Sequence, residues 1–93
     1  IDADEIDWIS AYDYYAVLHV GSRRYLLRES LAALEGRLPH EVFIRVHRSA
    51  IVNCTKVREL NRDTVVLHDG TRVKTSRRRR SAVNAALREA ATR

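Results

Sequence analysis

A mainly β domain with two helices, of the α+β class, is predicted by three observations in this sequence. Short runs of β-branched and aromatic residues recur between turn signals, as at residues 15–20 and 64–68. An Asp69-Gly70 pair, the dipeptide favoured in tight hairpins, separates two such runs. The hydrophobic period lengthens from two to helical spacing only at Ser30 and again at Ser76.

In chain order, residues 5–10 and 15–20 are expected to be strands around a loop at 11–14, and Gly21-Ser22 leads into a third strand at 23–28. Together they predict a meander. Ser30 is placed to cap a short helix near 30–36, since Leu31, Leu34 and Leu38 follow at helical spacing and Gly36 and Pro39 close the segment. A strand at 42–46, a kink at His47-Arg48-Ser49 and a strand at 50–53 come next. Residues 56–60 alternate, Asn61-Arg62-Asp63 turns, and 64–68 is a strand. Asp69-Gly70 is then a two-residue hairpin loop, so 71–75 pairs back antiparallel with Arg72 and Lys74 on one face. From Ser76 the pattern is helical, and Val83, Ala86, Leu87 and Ala90 form a narrow apolar stripe on a C-terminal helix near 77–91.

With 93 residues and 45% apolar content the chain can bury one core, so residues 1–93 are read as a single domain. It opens without Met and is expected to be a piece of a longer protein. Cys54 is the lone cysteine, which excludes an internal disulfide and fits a small buried hydrophobe in a reducing, cytoplasmic setting. No apolar run is long enough to predict a membrane span.

Charge is divided unevenly along the chain. Residues 1–44 hold eight acids and four Lys/Arg, a balance of −4, whereas residues 45–93 hold thirteen Lys/Arg and four acids, a balance of +9. Clustered like charge repels itself unless a counter-charge relieves it, so a polyanion is the expected partner. Two places concentrate the cations. In Phe43-Ile44-Arg45-Val46-His47-Arg48-Ser49-Ala50-Ile51-Val52-Asn53, apolar strand residues flank a basic and hydroxyl cluster that wants water or a charged partner. In Ser76-Arg77-Arg78-Arg79-Arg80, an N-cap at Ser76 would set four arginines in a first helical turn, where the helix dipole disfavours cations by about 0.3–1 kcal/mol each. Phosphate oxygens would remove that conflict, because helix N–H groups and arginine forks both bind them.

These residues resemble the LytTR domain, the DNA-binding output module of many bacterial response regulators. The resemblance runs through Ile6-Asp7-Trp8-Ile9-Ser10-Ala11 with Tyr15, and Leu26-Leu27-Arg28-Glu29-Ser30-Leu31-Ala32-Ala33-Leu34-Glu35. It continues through the Phe43 to Asn53 segment, Val65-Val66-Leu67-His68-Asp69-Gly70 and Ser76-Arg77. It implies an elongated antiparallel β-fold whose loops, rather than a recognition helix, enter successive major grooves and bend the duplex. By motif position it implies contacts from Asp13 and Tyr14 after the first strand, from Arg48, and from Arg77. Direct-repeat half-sites about one helical turn apart, a homodimer on DNA and an upstream receiver or membrane sensor domain are further expectations of this resemblance. Four consecutive arginines, and Cys54 where an aliphatic residue is usual, depart from the common pattern.

Arginine can read guanine in the major groove or hold phosphate. Arg48 and Arg77 are assigned to base edges or their immediate neighbourhood, and Arg45, Lys74, Arg78, Arg79 and Arg80 to phosphates. Tyr14 stands equally as a phosphate donor and as a packing residue beside Tyr12 and Tyr15. His47 is expected to hold the kink that presents Arg48, and Asn53 to lock a turn. The histidines and Cys54 lack metal-ligand spacing, no cofactor motif is present, and neither a phosphate loop nor a nucleophile motif points to an enzyme. Two other readings stay open on charge alone. One is an RNA or non-specific nucleic-acid module, which would need stacking aromatics, and the other is a protein-interaction or membrane-surface domain.

Overall fold

The first three strands form the predicted meander: β1 (Trp8–Tyr12), β2 (Tyr15–Val20) and β3 (Arg23–Leu27) pair antiparallel in sequence. The coordinates are a computed structural model that describes residues 2–92; Ile1 and Arg93 lie outside the described residues. The first strand starts later than the sequence predicts. Ala3–Glu5 is a 3-10 turn, and pairing of Tyr12 with Tyr15 carries the ladder up to a connection of only Asp13 and Tyr14. Asp13 takes φ 55, a left-handed conformation that Asp adopts more readily than most residues.

Helix α1 (Leu31–Arg37) begins where expected, with Ala33 N donating to Ser30 Oγ at 3.1 Å. β4 (Phe43–His47) and β5 (Ala50–Asn53) then form a hairpin, and β5 pairs with β1, giving a five-stranded sheet in the order β3-β2-β1-β5-β4. A second, three-stranded sheet contains β6 (Val57–Leu60), β7 (Thr64–Leu67) and β8 (Arg72–Lys74) in sequence order. The Asp69-Gly70 hairpin spans one residue more than the sequence predicts. Leu67 N donates to Thr71 O at 2.9 Å around His68, Asp69 and Gly70, and of the two turn residues only Gly70 has a positive φ, at 92. A three-residue loop needs one left-handed residue, whereas a two-residue type I′ loop needs two.

Alternation along each strand divides the core into two layers. Ile9, Ala16, Phe43 and Ile51 pack with Leu31 and Leu34 of α1 on one face of the large sheet. Val46, Ala50 and Val52 turn to the other face, against Val65, Leu67 and Val73 of the small sheet. Val83, at 0% exposure, pins α2 (Arg80–Ala91) onto this second layer with help from Leu87. The Ser76–Arg80 run differs from a simple helix start. Arg77–Arg79 form a 3-10 turn, and Ser76 Oγ makes no cap bond. Ser76 is committed through its backbone instead, donating from N to Val46 O at 2.8 Å and thereby extending the open edge of β4. The domain measures 32 × 25 × 23 Å.

Two polar residues hold the scaffold. Asn53, wholly buried, donates from Nδ2 to Ile6 O at 2.8 Å and accepts at Oδ1 from Thr55 N at 2.9 Å and from Thr55 Oγ1 at 2.7 Å. It ties the N-terminal segment to the end of β5, the turn-locking role expected of it. His19 stacks on Trp8 with ring centroids 4.1 Å apart and is bracketed by Ser10 Oγ at 2.9 Å and Arg24 Nε at 3.4 Å. With Nδ1 accepting from Arg24, the ring proton is assigned to Nε2 and donates to Ser10. Burial holds the His19 pKa below its ordinary 6.5, and the Arg24 charge lowers it further.

Candidate nucleic-acid interface

The strand directions bring distant loops to one end of the large sheet. β1 runs towards Asp13-Tyr14, β5 leaves the His47–Ser49 turn antiparallel beside it, and β3 ends beside Arg28. Ala11 N donates to Ser49 O at 3.1 Å and ties the first two loops together. Ala11, Asp13, Tyr14 and Arg48 accordingly line one cleft of about 450 Å³ with Arg28 and Ser30. On the far side of the β4–β5 hairpin, the Ser76–Val46 hydrogen bond delivers Arg77 to the same end. The order across the end is therefore Asp13-Tyr14, then Arg48, then Arg77. Adjacent strands lie about 4.8 Å apart, so these positions span roughly 15 Å.

The turn between β4 and β5 is built to hold Arg48 outward. A bulge between Arg45 and His47 breaks the ladder before the turn. His47 Nδ1 then lies 2.9 Å from Ser49 Oγ and accepts from Ser49 N at 3.2 Å, so these two side chains hold the bend as the sequence predicts. Arg45 is 12% exposed and turns inward, donating to Glu35 Oε1 of α1 at 2.8 Å, to His47 O at 2.9 Å and to Arg48 O. Its fork thus bridges α1 and the turn. Arg48 itself is exposed.

Of the remaining candidate residues, Asp13 and Tyr14 are exposed, Tyr14 by 79%. Lys74, Arg77 and Arg78 are exposed, while Arg79 and Arg80 are half-buried where the 3-10 turn meets α2. Lys74 ends β8 directly before this segment, and Thr75 N donates to Asp63 O at 2.8 Å, which sets the 61–63 turn alongside. Arg28 is the basic residue of this end that sequence reasoning missed. Its place at the close of a strand gives no local signal, and only the pairing of β3 with β2 carries it to Arg48. Among the described residues no group of three or more His, Cys, Asp or Glu could hold a metal ion, and no helix is long and apolar enough to cross a membrane.

Known proteins share this fold. Over 94% of this chain and 84% of its counterpart, the structure superposes with a TM-score of 0.85 and 25% identity on the LytTr DNA-binding domain of a methyl-accepting/DNA response regulator from Bacillus cereus. The sequence is 32% identical over 79 residues to the sensory transduction protein LytT of Enterococcus faecalis, covering 80% of this chain. With its namesake in Bacillus subtilis it shares 27% identity over 82 residues, 83% of this chain. The chain spans about a third of these relatives, 33% and 34% of their lengths respectively. The family model described as the LytTr DNA-binding domain matches residues 1–88. A two-sheet fold matched along nearly its whole length makes this chain a member of the LytTr DNA-binding domain family.

Proposed function

We propose that the domain binds duplex DNA in a sequence-specific manner, as the output module of a bacterial transcription regulator acting in the cytoplasm. The observation that carries this reading is the convergence of Asp13-Tyr14, Arg48 and Arg77 on one end of the large sheet. Loops rather than a helix would then enter the grooves. Arg48 and Arg77 are the base readers, and Lys74, Arg78, Arg79 and Arg80 neutralise flanking phosphates. Arg28, exposed in the same cleft, joins the phosphate set. Arg45 acts one step back, as the brace of the Arg48 turn, because its donors are already engaged by Glu35, His47 and Arg48. Two copies on direct-repeat half-sites, and a receiver or sensor domain elsewhere in a longer regulator, complete the proposal.

Selection from a random duplex pool tests it: a recurrent motif with two similarly oriented half-sites about one turn apart is expected, and affinity should fall steeply with salt. Absence of any enriched motif sinks the sequence-specific reading. One observation favours a second reading, single-strand binding: Tyr12 and Tyr14 are 67% and 79% exposed beside the cations, where they are free to stack on unpaired bases. Tighter binding to single strands than to the selected duplex would favour it.

A further inference from the structure

The polar side of α2 is not absorbed by the interface described above. Arg80, Asn84 and Arg88 recur every four residues and so share one face of the helix, with Arg77 and Ser81 beside them. Together with Ala85 they line an open groove of about 620 Å³ that contains three arginines and no acid. The adjoining side of the helix carries Val83 and Leu87 into the core. Arg88 and Ser81 are exposed, and Arg80 Nε, though buried, bonds to no protein group. Three cations gathered along one groove whose lining holds no acid repel one another, and an anion laid in the groove relieves that repulsion.

The direction of α2 identifies the anion. The helix starts beside Val46, at the loop-bearing end, and runs back along β4 until Ala86 and Glu89 border His40 and Glu41, near the strand's other end. The groove is thus continuous with Arg77 and leads away from it. From Arg77 to Arg88 the run covers about 17 Å, the length of about five base pairs at 3.4 Å each. Guanidinium, hydroxyl and amide donors without a carboxylate or an aromatic platform suit a phosphodiester backbone, not an unpaired base.

We propose that this groove is a second phosphate track, on which Arg80, Asn84 and Arg88 hold the backbone of duplex flanking the recognised site and draw it along the side of the domain. The inference rests on the duplex-DNA reading above and adds Ser81, Asn84 and Arg88 to the surface that contacts DNA. It requires the duplex to bend towards α2 once it has passed Arg77.

The test compares a duplex that ends at the selected motif with one extended by six base pairs on each side. The wild-type domain should bind the extended duplex more tightly, with a salt slope steeper by about 0.9 for each phosphate gained. Two such contacts make the advantage shrink about twelvefold between 50 and 200 mM salt. Arg88→Ala should remove part of that advantage, and Arg88→Glu all of it. Both substitutions lie on the exposed helix face, and circular dichroism verifies that the helix is retained. End-to-end energy transfer on the extended duplex should report less bending with Arg88→Glu than with the wild type. Equal affinity and equal salt slope for the two duplexes overturn the track and leave the DNA reading standing. An unaltered advantage in Arg88→Glu overturns it as well. If the wild type binds neither duplex, the DNA reading falls and the track falls with it.

Discussion

The Arg45 guanidinium donates to the backbone carbonyl of Arg48, so an inward-facing arginine fixes the chain at the outward-facing one. The same fork reaches His47 O and Glu35, so one side chain joins α1 to this turn. Lysine offers a single ammonium in place of the fork. Arg45→Lys should therefore lower affinity for the selected duplex about tenfold, about 1.4 kcal/mol, while the melting temperature moves by only a few degrees. Duplex titration beside thermal melting checks the split, and unchanged affinity would remove the bracing role.

Arg48→Ala and Arg77→Ala should each relax preference at defined base positions, at a cost of about 1–3 kcal/mol on the cognate sequence. Arg79→Ala should weaken all sequences alike and reduce the salt slope by about one. Measuring affinities across a panel of single-base variants distinguishes these outcomes. Uniform loss for Arg48→Ala would demote Arg48 to a phosphate contact, and base-selective loss for Arg79→Ala would promote Arg79.

Asn53 is wholly buried, so Asn53→Ala removes a buried amide and leaves Ile6 O without its buried side-chain donor. The expected loss is about 2–4 kcal/mol, read as a lowered urea midpoint. A loss below about 0.5 kcal/mol would show that the N-terminal segment needs no such tie.

Stability should also carry a signature of His19. Its folded pKa lies below 6.5, so the unfolded chain binds the proton first as pH drops. The stabilisation is complete above about pH 6.5 and declines as pH falls from there towards the lowered folded value. Urea midpoints measured from pH 8 to 5 should slope downwards on the acid side of this range more steeply in the wild type than in His19→Gln. Parallel curves would rule the group out.

Much of this was legible in the sequence, and the failures are instructive. Period and punctuation identified the strands and both helices, because Ser30, Gly21 and Gly70 mark breaks through local backbone chemistry. Boundaries slipped where a tertiary partner decides them. β1 extends to Tyr12 because Tyr15 stands opposite, and the last helix starts late because Ser76 is drawn to the edge of β4. The His47–Ser49 bend was readable from composition, since polar residues between two apolar strands must find partners. Arg45 illustrates the limit. Its spacing two residues before His47 places it on a strand face, but Glu35 is ten residues away in sequence and meets it only after α1 packs on the sheet.

The end of the large sheet also separates two kinds of evolutionary constraint. Asp13, Tyr14 and Arg48 sit in turns whose side chains project away from both core layers, while the strands that deliver them are fixed by Ile9, Val46, Ala50 and Ile51. Substitutions at the tips are thus free to change the exposed surface without disturbing the layers beneath. Asp13 is the exception: its φ of 55 admits Asn or Gly readily and β-branched residues poorly. The fold should accept many side chains at Tyr14 and few at Asp13, a pattern set by backbone geometry.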